Sequence, residues 1–224
     1  MNRFIIGDVH GCIKTLEALV RKLPQNSKIT FVGDLIDRGK NSYEVVEFVK
    51  SNGYDCVLGN HELYMLETMP LILDGEINPQ LDLWYSSYGG KEAIQSYNND
   101  ESKILAHLKW FDTLPLFIEY DLSDTNDRKL LVSHSSIGKY TLQNPDKKYN
   151  TQRFIEQVTQ SRTKHIIQNQ NIFNIFGHTP TPTPIIKDYY ANIDTGCVYT
   201  DGDFGCLSAI EFPSMQVFTQ KNID

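Results

Sequence analysis

Three short polar motifs, each directly after a short apolar run, constrain the fold of this chain more than any other feature. The motifs are G-D-V-H-G at 7–11, G-D-L-I-D-R-G at 33–39 and G-N-H-E at 59–62. The residues before them, at 4–6, 29–32 and 56–58, have the length and composition of buried strands. Because ligands bind outside the carboxyl ends of strands in open α/β sheets, we expect the three motifs to meet in one crevice.

The segments between these strands have the apolar spacing of amphipathic helices. Apolar residues recur every three or four positions at 15–23 and again at 42–50. A third helix is predicted at about 62–67. Alternating strands and helices indicate βαβ units and a largely parallel sheet.

The rest of the chain predicts a helical region followed by further strands. Residues 68–110 contain both tryptophans and several tyrosines, and we interpret them as a helical cap or insert. Two later helices are predicted, at 104–114 and 151–167. Further strands are predicted at 116–118, 129–133, 172–176, 190–193, 206–211 and 216–218. With no repeat or linker, the sequence predicts a single domain over 1–224.

The acidic charge of the chain argues against a nucleic-acid-binding protein. Its 224 residues carry a formal net charge of -7, whereas proteins that bind the phosphate backbone are normally basic. We see no apolar run of about 18 residues or more, so no membrane association is expected. The four cysteines form no C-x-x-C pair. Without a signal-peptide pattern, we expect a cytoplasmic protein, monomeric or weakly oligomeric.

Six polar side chains that follow predicted strands have the chemistry of metal ligands. They are Asp8, His10, Asp34, Asn60, His134 and His178. Imidazole, carboxylate and amide donors suit first-row divalent metals such as Mn, Fe or Zn. Two such ions, about 3.5–4 Å apart, can clamp a phosphoryl group and lower the pKa of a bound water toward about 7.

Three further residues in the same motifs have the chemistry of phosphate binding and proton transfer. Arg38 can bind phosphate oxygens with two parallel hydrogen bonds. His61 can protonate a leaving oxygen. Asp37 can orient the imidazole of His61, as a carboxylate does in hydrolase triads.

The three motifs, in this order and with later isolated histidines, resemble the signature of metallophosphoesterases of the phosphoprotein phosphatase type. Within that family, they are similar to compact bacterial and phage (lambda-like) serine/threonine protein phosphatases. The resemblance extends from Gly7 to the I-D-T-G run at 193–196. It implies a calcineurin-like α/β fold, an αββα sandwich with two central mixed sheets flanked by helices.

The resemblance also implies a role for each site residue. Asp8, His10 and His178 would hold one metal ion, Asp34 would bridge, and Asn60 and His134 would complete the second site. His61 would be the general acid, supported by Asp37. The family uses a second phosphate-binding arginine beside Arg38, for which Arg162 is the best match and Arg153 the competitor.

Two local features bear on how closely the family pattern applies. Relatives commonly have His-Ala-Gly where this chain has His134-Ser135-Ser136, and the glycine of that pattern can require a positive φ. The W-Y-S-S-Y-G-G-K-E run at 84–92 is similar to a tryptophan-to-glycine region of bacterial protein-phosphatase-like members.

The resulting expectation is a phosphoesterase with a binuclear metal centre, with Mn²⁺ as the first choice and Fe or Zn as alternatives. Hydroxide held by both metals would attack phosphorus in line, and His61 would protonate the leaving group. The substrate would be a phosphoprotein or a small phosphorylated molecule.

Three functions are compatible with these motifs. The first choice is a serine/threonine protein phosphatase, and the alternative is a bis(5'-nucleosyl)-tetraphosphatase that hydrolyses diadenosine tetraphosphate. The core motifs are common to both enzymes and do not separate them. The third, a catalytically silent binding module, is disfavoured because such a module needs none of Asp37, Arg38 and His61.

Overall fold

The computed structural model describes residues 2–76, 79–137, 152–162 and 170–224, with the side chains of 79–82 excepted. In chain order the elements are β1 (Arg3–Ile6), α1 (Ile13–Val20), β2 (Lys28–Phe31), α2 (Ser42–Ser51), β3 (Asp55–Cys56), α3 (Asn60–Leu73), α4 (Pro79–Ser87), α5 (Gly90–Ser96), α6 (Glu101–Phe111), β4 (Phe117–Ser123), β5 (Lys129–Ser133), α7 (Gln152–Gln160), β6 (Ile172–Phe176), β7 (Ile185–Ile186), β8 (Tyr190–Asn192), β9 (Cys206–Phe212) and β10 (Gln216–Lys221).

The strands form two mixed five-stranded sheets. The first has the order β10-β9-β1-β2-β3 and the second the order β4-β5-β6-β8-β7. In the first sheet β1, β2 and β3 are parallel, and β9 and β10 add antiparallel strands beyond β1. In the second sheet β5, β6 and β8 are parallel between two antiparallel edge strands. The predicted α/β fold with two mixed sheets flanked by helices is confirmed.

The two sheets pack face to face, with helices on their outer faces. Successive residues of a strand point to opposite faces, and β1 shows this directly. Ile5 is fully buried among side chains of both sheets, whereas Phe4 and Ile6 pack with the helices that cover the first sheet. On the far side, Phe154 and Val158 of α7 pack against the second sheet.

The largest boundary differences have local causes. Helix α3 begins at Asn60, two residues before the predicted start, because the Glu62 carboxylate accepts a hydrogen bond from the Gly59 amide (3.1 Å) and caps the first turn. Helix α6 begins at Glu101, because the Asp100 carboxylate accepts hydrogen bonds from the amides of Ser102 and Lys103.

Other predictions are met in part. Residues 68–110 supply the end of α3, helices α4 and α5, and most of α6, so this region is helical. The helix predicted at 151–167 is seen as α7, and residues 163–169 lie outside the described residues. The two-residue strand β7 was not predicted, since it is too short for a periodic pattern. Within the described ranges, no helix has both the length and the apolar character needed to cross a bilayer.

The packing between the sheets should account for much of the stability of the domain. Ile210 of β9 is fully buried between the sheets, and its cross-strand partner Val217 on β10 is 37% exposed. We predict that Ile210→Ala lowers the free energy of unfolding by about 2–5 kcal/mol, because it removes buried methylenes and leaves a cavity. The matched control Val217→Ala should change it by about 0.5 kcal/mol or less. Urea denaturation measures both, and equal losses would contradict this packing.

Candidate metal and phosphate site

The six predicted ligands lie just beyond strand ends and converge where the two sheets meet. Asp8 and His10 follow β1, Asp34 follows β2, Asn60 follows β3, His134 follows β5 and His178 follows β6. All six residues are buried. The convergence crosses both sheets, since Nε2 of His134 lies 3.3 Å from Oδ1 of Asp34 and 2.8 Å from Oδ1 of Asn60.

The Asp34 carboxylate lies between two groups of donors. Its oxygens group with nitrogens of His10 and His61 on one side and of His134 and His178 on the other, each group spanning no more than 4.8 Å. Although burial opposes it, the pKa of Asp34 is lowered by the imidazoles around it, so the group is ionised. A shared, ionised carboxylate between two donor groups fits the predicted bridging position.

Backbone carbonyls orient the ring nitrogens of two candidate ligands. Nδ1 of His10 donates to the carbonyl of Ile36 (2.7 Å), and Nδ1 of His134 donates to the carbonyl of Val32 (2.8 Å). In each ring the second nitrogen, Nε2, therefore presents its lone pair to the site. This arrangement is typical of histidines that bind metal ions.

Burial keeps these imidazoles neutral, which metal binding requires. It lowers the pKa of His10, where the charge of Arg38 adds to the effect, and the pKa of His134. It also lowers the pKa of His178 to about 3. Arg38 donates from its guanidinium to Nε2 of His10 at 2.7 Å. Since arginine can only donate, the lone pair of His10 already faces a cation.

The structure places the side chain of His178 near two of the other predicted ligands. Nδ1 of His178 lies 2.8 Å from Oδ1 of Asn60 and 3.2 Å from Nε2 of His134. Asp8, in contrast, is contacted by the backbone amide of His178, at 3.1 Å. The imidazole of His178 therefore lies beside Asn60 and His134, whereas the resemblance groups it with Asp8 and His10. The cause is topological, because His134 and His178 follow the neighbouring parallel strands β5 and β6.

The carboxylates of Asp8, Asp34 and Asp194 form a buried cluster of like charges. Burial, together with the negative charges of Asp194 and Asp34, raises the pKa of Asp8 well above its usual value. Burial also raises the pKa of Asp194 to about 7. Buried carboxylates of like charge are stable when cations neutralise them. The donor set therefore fits divalent metal ions. Asp194 was not predicted as a site residue, although it lies in the I-D-T-G run that matches the family.

His61 is held by Asp37, as the motif predicted. Nδ1 of His61 donates to Oδ2 of Asp37 at 2.6 Å. Burial opposes protonation of His61, but the charge of Asp34 and the hydrogen bond to Asp37 outweigh it and raise the pKa of His61. A raised pKa with a pinned Nδ1 leaves Nε2 as a proton donor, which is what a general acid requires.

Trp84, on α4 within the predicted cap region, is a positioning residue. Its indole Nε1 donates to the same Oδ2 of Asp37 at 2.8 Å, while Oδ1 of Asp37 is buried without a hydrogen-bond partner among the described residues. A Cβ on Gly90 would lie 2.6 Å from the Trp84 ring. The similarity at 84–92 therefore has a physical basis, because Gly90 leaves room for the ring that supports Asp37.

Glu62, the last residue of the third motif, is a second positioning residue. Its carboxylate accepts hydrogen bonds from the amides of Asp34 (2.9 Å), Leu35 (2.8 Å) and Gly59 (3.1 Å). Burial raises its pKa to about 7, and the charge of Asp34 adds to the effect. It fixes the loop after β2 to the start of α3. The position of Glu62 in the G-N-H-E motif is the sequence signal that could have identified it as a site residue.

The backbone at the site is strained. Positive φ angles occur at five of its non-glycine residues, namely His10, Asp34, Asp37, Arg38 and His178. Such conformations cost about 1–3 kcal/mol each and persist only where surrounding contacts enforce them. Ser136, in contrast, has no positive φ, so the departure from His-Ala-Gly introduces no strain. Ser135 instead connects β5 to α7, since its amide donates to the carbonyl of Val158 at 2.8 Å.

A cleft of about 380 Å³ opens above these residues. It is lined by Arg38, Asn60, His61, Tyr64, Tyr88, Gln160, Arg162 and His178. A larger groove of about 790 Å³ lies at the opposite ends of the strands and contains none of the predicted site residues.

Of the two candidate arginines, only Arg162 lies in this cleft. Its Nε donates to Nε2 of His178 over a long 3.4 Å. Arg153 is exposed near the start of α7 and is not among the residues that line the cleft.

Comparison with known proteins shows which family the chain belongs to. The model of the calcineurin-like phosphoesterase family matches residues 1–217. The chain belongs to this family. As a member it is a metallophosphoesterase, a hydrolase of a family that uses divalent metals in a binuclear centre.

The similarity to individual proteins is low in sequence identity. A protein of Oceanobacillus iheyensis named bis(5'-nucleosyl)-tetraphosphatase PrpE [asymmetrical] is 27% identical over 95% of this chain and 89% of its own length. A crystal structure of a candidate diadenosine tetraphosphatase has a TM-score of 0.64 at 22% identity, covering 100% of this chain and 94% of its own. A serine/threonine phosphatase of Saccharomyces cerevisiae has a TM-score of 0.58 at 14% identity, covering 100% and 81%. The two structural likenesses show the fold, and the three together do not single out the lambda-like protein phosphatases.

Trp84 offers a test of the positioning of His61. We predict that Trp84→Phe lowers kcat on an alkyl phosphate roughly tenfold, because hydrogen bonds to charged groups contribute about 1.5–3 kcal/mol. Bound metal, measured by elemental analysis, should not change. Trp110→Phe, which alters the other tryptophan, is the matched control. If both variants lose activity equally, Trp84 has no specific role in positioning Asp37.

The two arginines offer a test of phosphate binding. We predict that Arg162→Ala lowers kcat/KM about 10- to 100-fold, since a charge-assisted contact to phosphate is removed. Arg153→Ala should retain most of the activity. Steady-state kinetics on one phosphoester measures both, and the reverse order would identify Arg153 as the second phosphate-binding arginine.

Proposed function

We propose that this chain is a bis(5'-nucleosyl)-tetraphosphatase, an enzyme that hydrolyses dinucleoside polyphosphates such as diadenosine tetraphosphate. The sequence alone favoured a serine/threonine protein phosphatase and treated the dinucleotide enzyme as the alternative. The observation that reverses this order is the named relative, which aligns over 95% of this chain and 89% of its own length. A match of this extent includes the cap region and not only the shared motifs.

The polar lining of the cleft supports a polyphosphate substrate. Arg38 and Arg162 both line it, and both can bind non-bridging phosphate oxygens. The net charge of the chain is -7, so these arginines and bound cations supply the local positive potential. A chain of several phosphates needs more than one such cation along its length.

The ligand assignments proposed for the metal centre follow the observed grouping. Asp8 and His10 would hold one ion, Asn60, His134 and His178 the other, and Asp34 both. Mn²⁺ is the first choice, with Fe or Zn as alternatives. When bound, the ions supply Lewis-acid activation of water and neutralise charge on the phosphate.

The side chains of the protein perform the remaining steps of the proposed hydrolysis. Arg38 and Arg162 orient the phosphoryl group that is attacked and stabilise its developing charge. A bond forms from the oxygen of water to phosphorus, with one water proton released to solvent, while the bond to the leaving phosphate oxygen breaks. His61 gives its Nε2 proton to that oxygen, and Asp37 holds the imidazole in place. Asymmetric cleavage of a tetraphosphate chain then yields a nucleoside monophosphate and a nucleoside triphosphate.

The proposal is tested by comparing two substrates on one preparation. With Mn²⁺ added, we expect kcat/KM for diadenosine tetraphosphate to exceed that for a phosphothreonine peptide by an order of magnitude or more. Both activities should disappear in EDTA. A preference for the phosphopeptide would reject the dinucleotide proposal and restore the protein phosphatase as the first choice.

The role of His61 is tested through its dependence on the leaving group. We predict that His61→Asn lowers kcat for β-glycerol phosphate on the order of 10²–10⁴-fold, because an alkoxide must be protonated as it leaves. The loss should be much smaller for p-nitrophenyl phosphate, since nitrophenolate leaves without a proton. Bound metal should not change. Equal losses on both substrates would contradict a general-acid role.

A further inference from the structure

Two exposed aromatic side chains lie on the loop between β8 and β9. Tyr199 and Phe204 are 38% and 37% exposed, and their ring centroids are 6.0 Å apart. They belong to a groove of about 340 Å³, lined by Pro180, Val198, Tyr199, Thr200, Asp201 and Phe204. This groove, which we call the aromatic groove, has no role in the chemistry described above.

Backbone hydrogen bonds hold the loop in a defined conformation. The amides of Tyr199 and Gly205 both donate to the carbonyl of Gly196, at 3.0 Å each. The side chain of Asn222 donates to the carbonyl of Cys197 at 2.7 Å, and its amide donates to the carbonyl of Gly205 at 2.7 Å. The groove is therefore a preformed feature of the surface.

Gly196 sets the spacing of the two rings. Its φ is +65°, and a Cβ added there would lie 3.0 Å from the side chains of both Tyr199 and Phe204. The absence of a side chain allows both aromatic residues to approach the backbone two residues beyond Asp194.

The aromatic groove begins where the phosphate site ends. The guanidinium carbon of Arg38 lies 5.7 Å from the ring centroid of Tyr199, and the same guanidinium contacts His10. Pro180, on the other wall, follows His178 by two residues. A molecule whose phosphate binds at Arg38 can therefore extend directly onto the aromatic rings.

The charge of the groove differs from that of the cleft. The cleft contains Arg38 and Arg162, whereas the lining of the groove has no cation and includes the carboxylate of Asp201. Asp203 is exposed on the same loop. These carboxylates repel phosphate, while exposed aromatic rings favour a neutral planar group that can stack.

We infer that the aromatic groove binds one nucleobase of the dinucleoside polyphosphate, with the adjoining phosphate on Arg38; this inference rests on the proposed function. Tyr64 and Tyr88 are less available for a base, since they already stack on each other at 5.3 Å and are half-buried in the wall of the cleft. Tyr199 and Phe204 expose ring surface outside the reacting centre. They select the nucleoside without taking part in the hydrolysis.

Phe204→Ala tests the groove because Tyr199, and not Phe204, is the aromatic residue near the Arg38 guanidinium. The substitution therefore leaves the phosphate site unaltered. The first readout is the ratio of kcat/KM for diadenosine tetraphosphate to kcat/KM for β-glycerol phosphate, which has no base. We expect this ratio to fall by about five- to 150-fold, the range of one base–aromatic stack. Phe204→Trp should restore most of it. Leu105→Ala, which truncates a side chain that is 40% exposed on α6, should leave the ratio unchanged.

The second readout does not depend on hydrolysis of the dinucleotide. AMP and inorganic phosphate are compared as inhibitors of β-glycerol phosphate hydrolysis. We expect AMP to inhibit more strongly than phosphate, and Phe204→Ala to remove that advantage while inhibition by phosphate persists. The thermal unfolding midpoint of each variant serves as the folding control.

The outcomes separate the groove from the proposed function. An unchanged substrate ratio in Phe204→Ala, or AMP inhibiting wild type no better than phosphate, overturns the aromatic groove as a base site. Diadenosine tetraphosphate hydrolysis would then stand on its own evidence. A wild-type preference for the phosphothreonine peptide rejects the proposed function instead, and with it the assignment of the groove to a dinucleotide.

Discussion

The position of one buried carboxylate, that of Asp34, determines how the rest of this site can be arranged. It lies between the donors of His10 and His61 and those of His134 and His178. The backbone φ of Asp34, +51°, is unfavourable. Glu62 stabilises this conformation by accepting hydrogen bonds from the amides of Asp34 and Leu35. Residues from both sheets reach it only because the sheets pack face to face, so the stability of the core and the geometry of the site depend on each other.

Much of the fold and most of the site residues could be predicted from the sequence. The strands β1, β2 and β3 are short apolar runs ended by glycine-containing motifs, and all six predicted ligands do converge. Glu62 and Trp84 were assigned no role in the site, because their effect is a hydrogen bond to a residue distant in sequence. The grouping of His178 also depends on strand order, which periodicity does not reveal. Helix bounds differed where Glu62 and Asp100 cap the first turns.

Selectivity among phosphoesters depends on what surrounds the common centre. The Asp37–His61 pair, Arg38 and the ligands would serve a phosphoprotein and a dinucleotide equally well. The features that can distinguish these substrates are the lining of the cleft, with Arg162, Tyr64 and Tyr88, and the loop that carries Tyr199 and Phe204. Two cations beside an aromatic surface that lacks cations match a molecule with a polyphosphate and planar bases. The substrate is thus inferred from the periphery of the site and the chemistry from its centre.

Anomalous diffraction from crystals grown with Mn²⁺ tests the central claim most directly. We predict two manganese peaks, about 3.5–4 Å apart, with Asp34 contacting both. Asp8 and His10 should contact one ion, and Asn60, His134 and His178 the other. A single ion, or two ions that do not share Asp34, would contradict a binuclear centre bridged by Asp34.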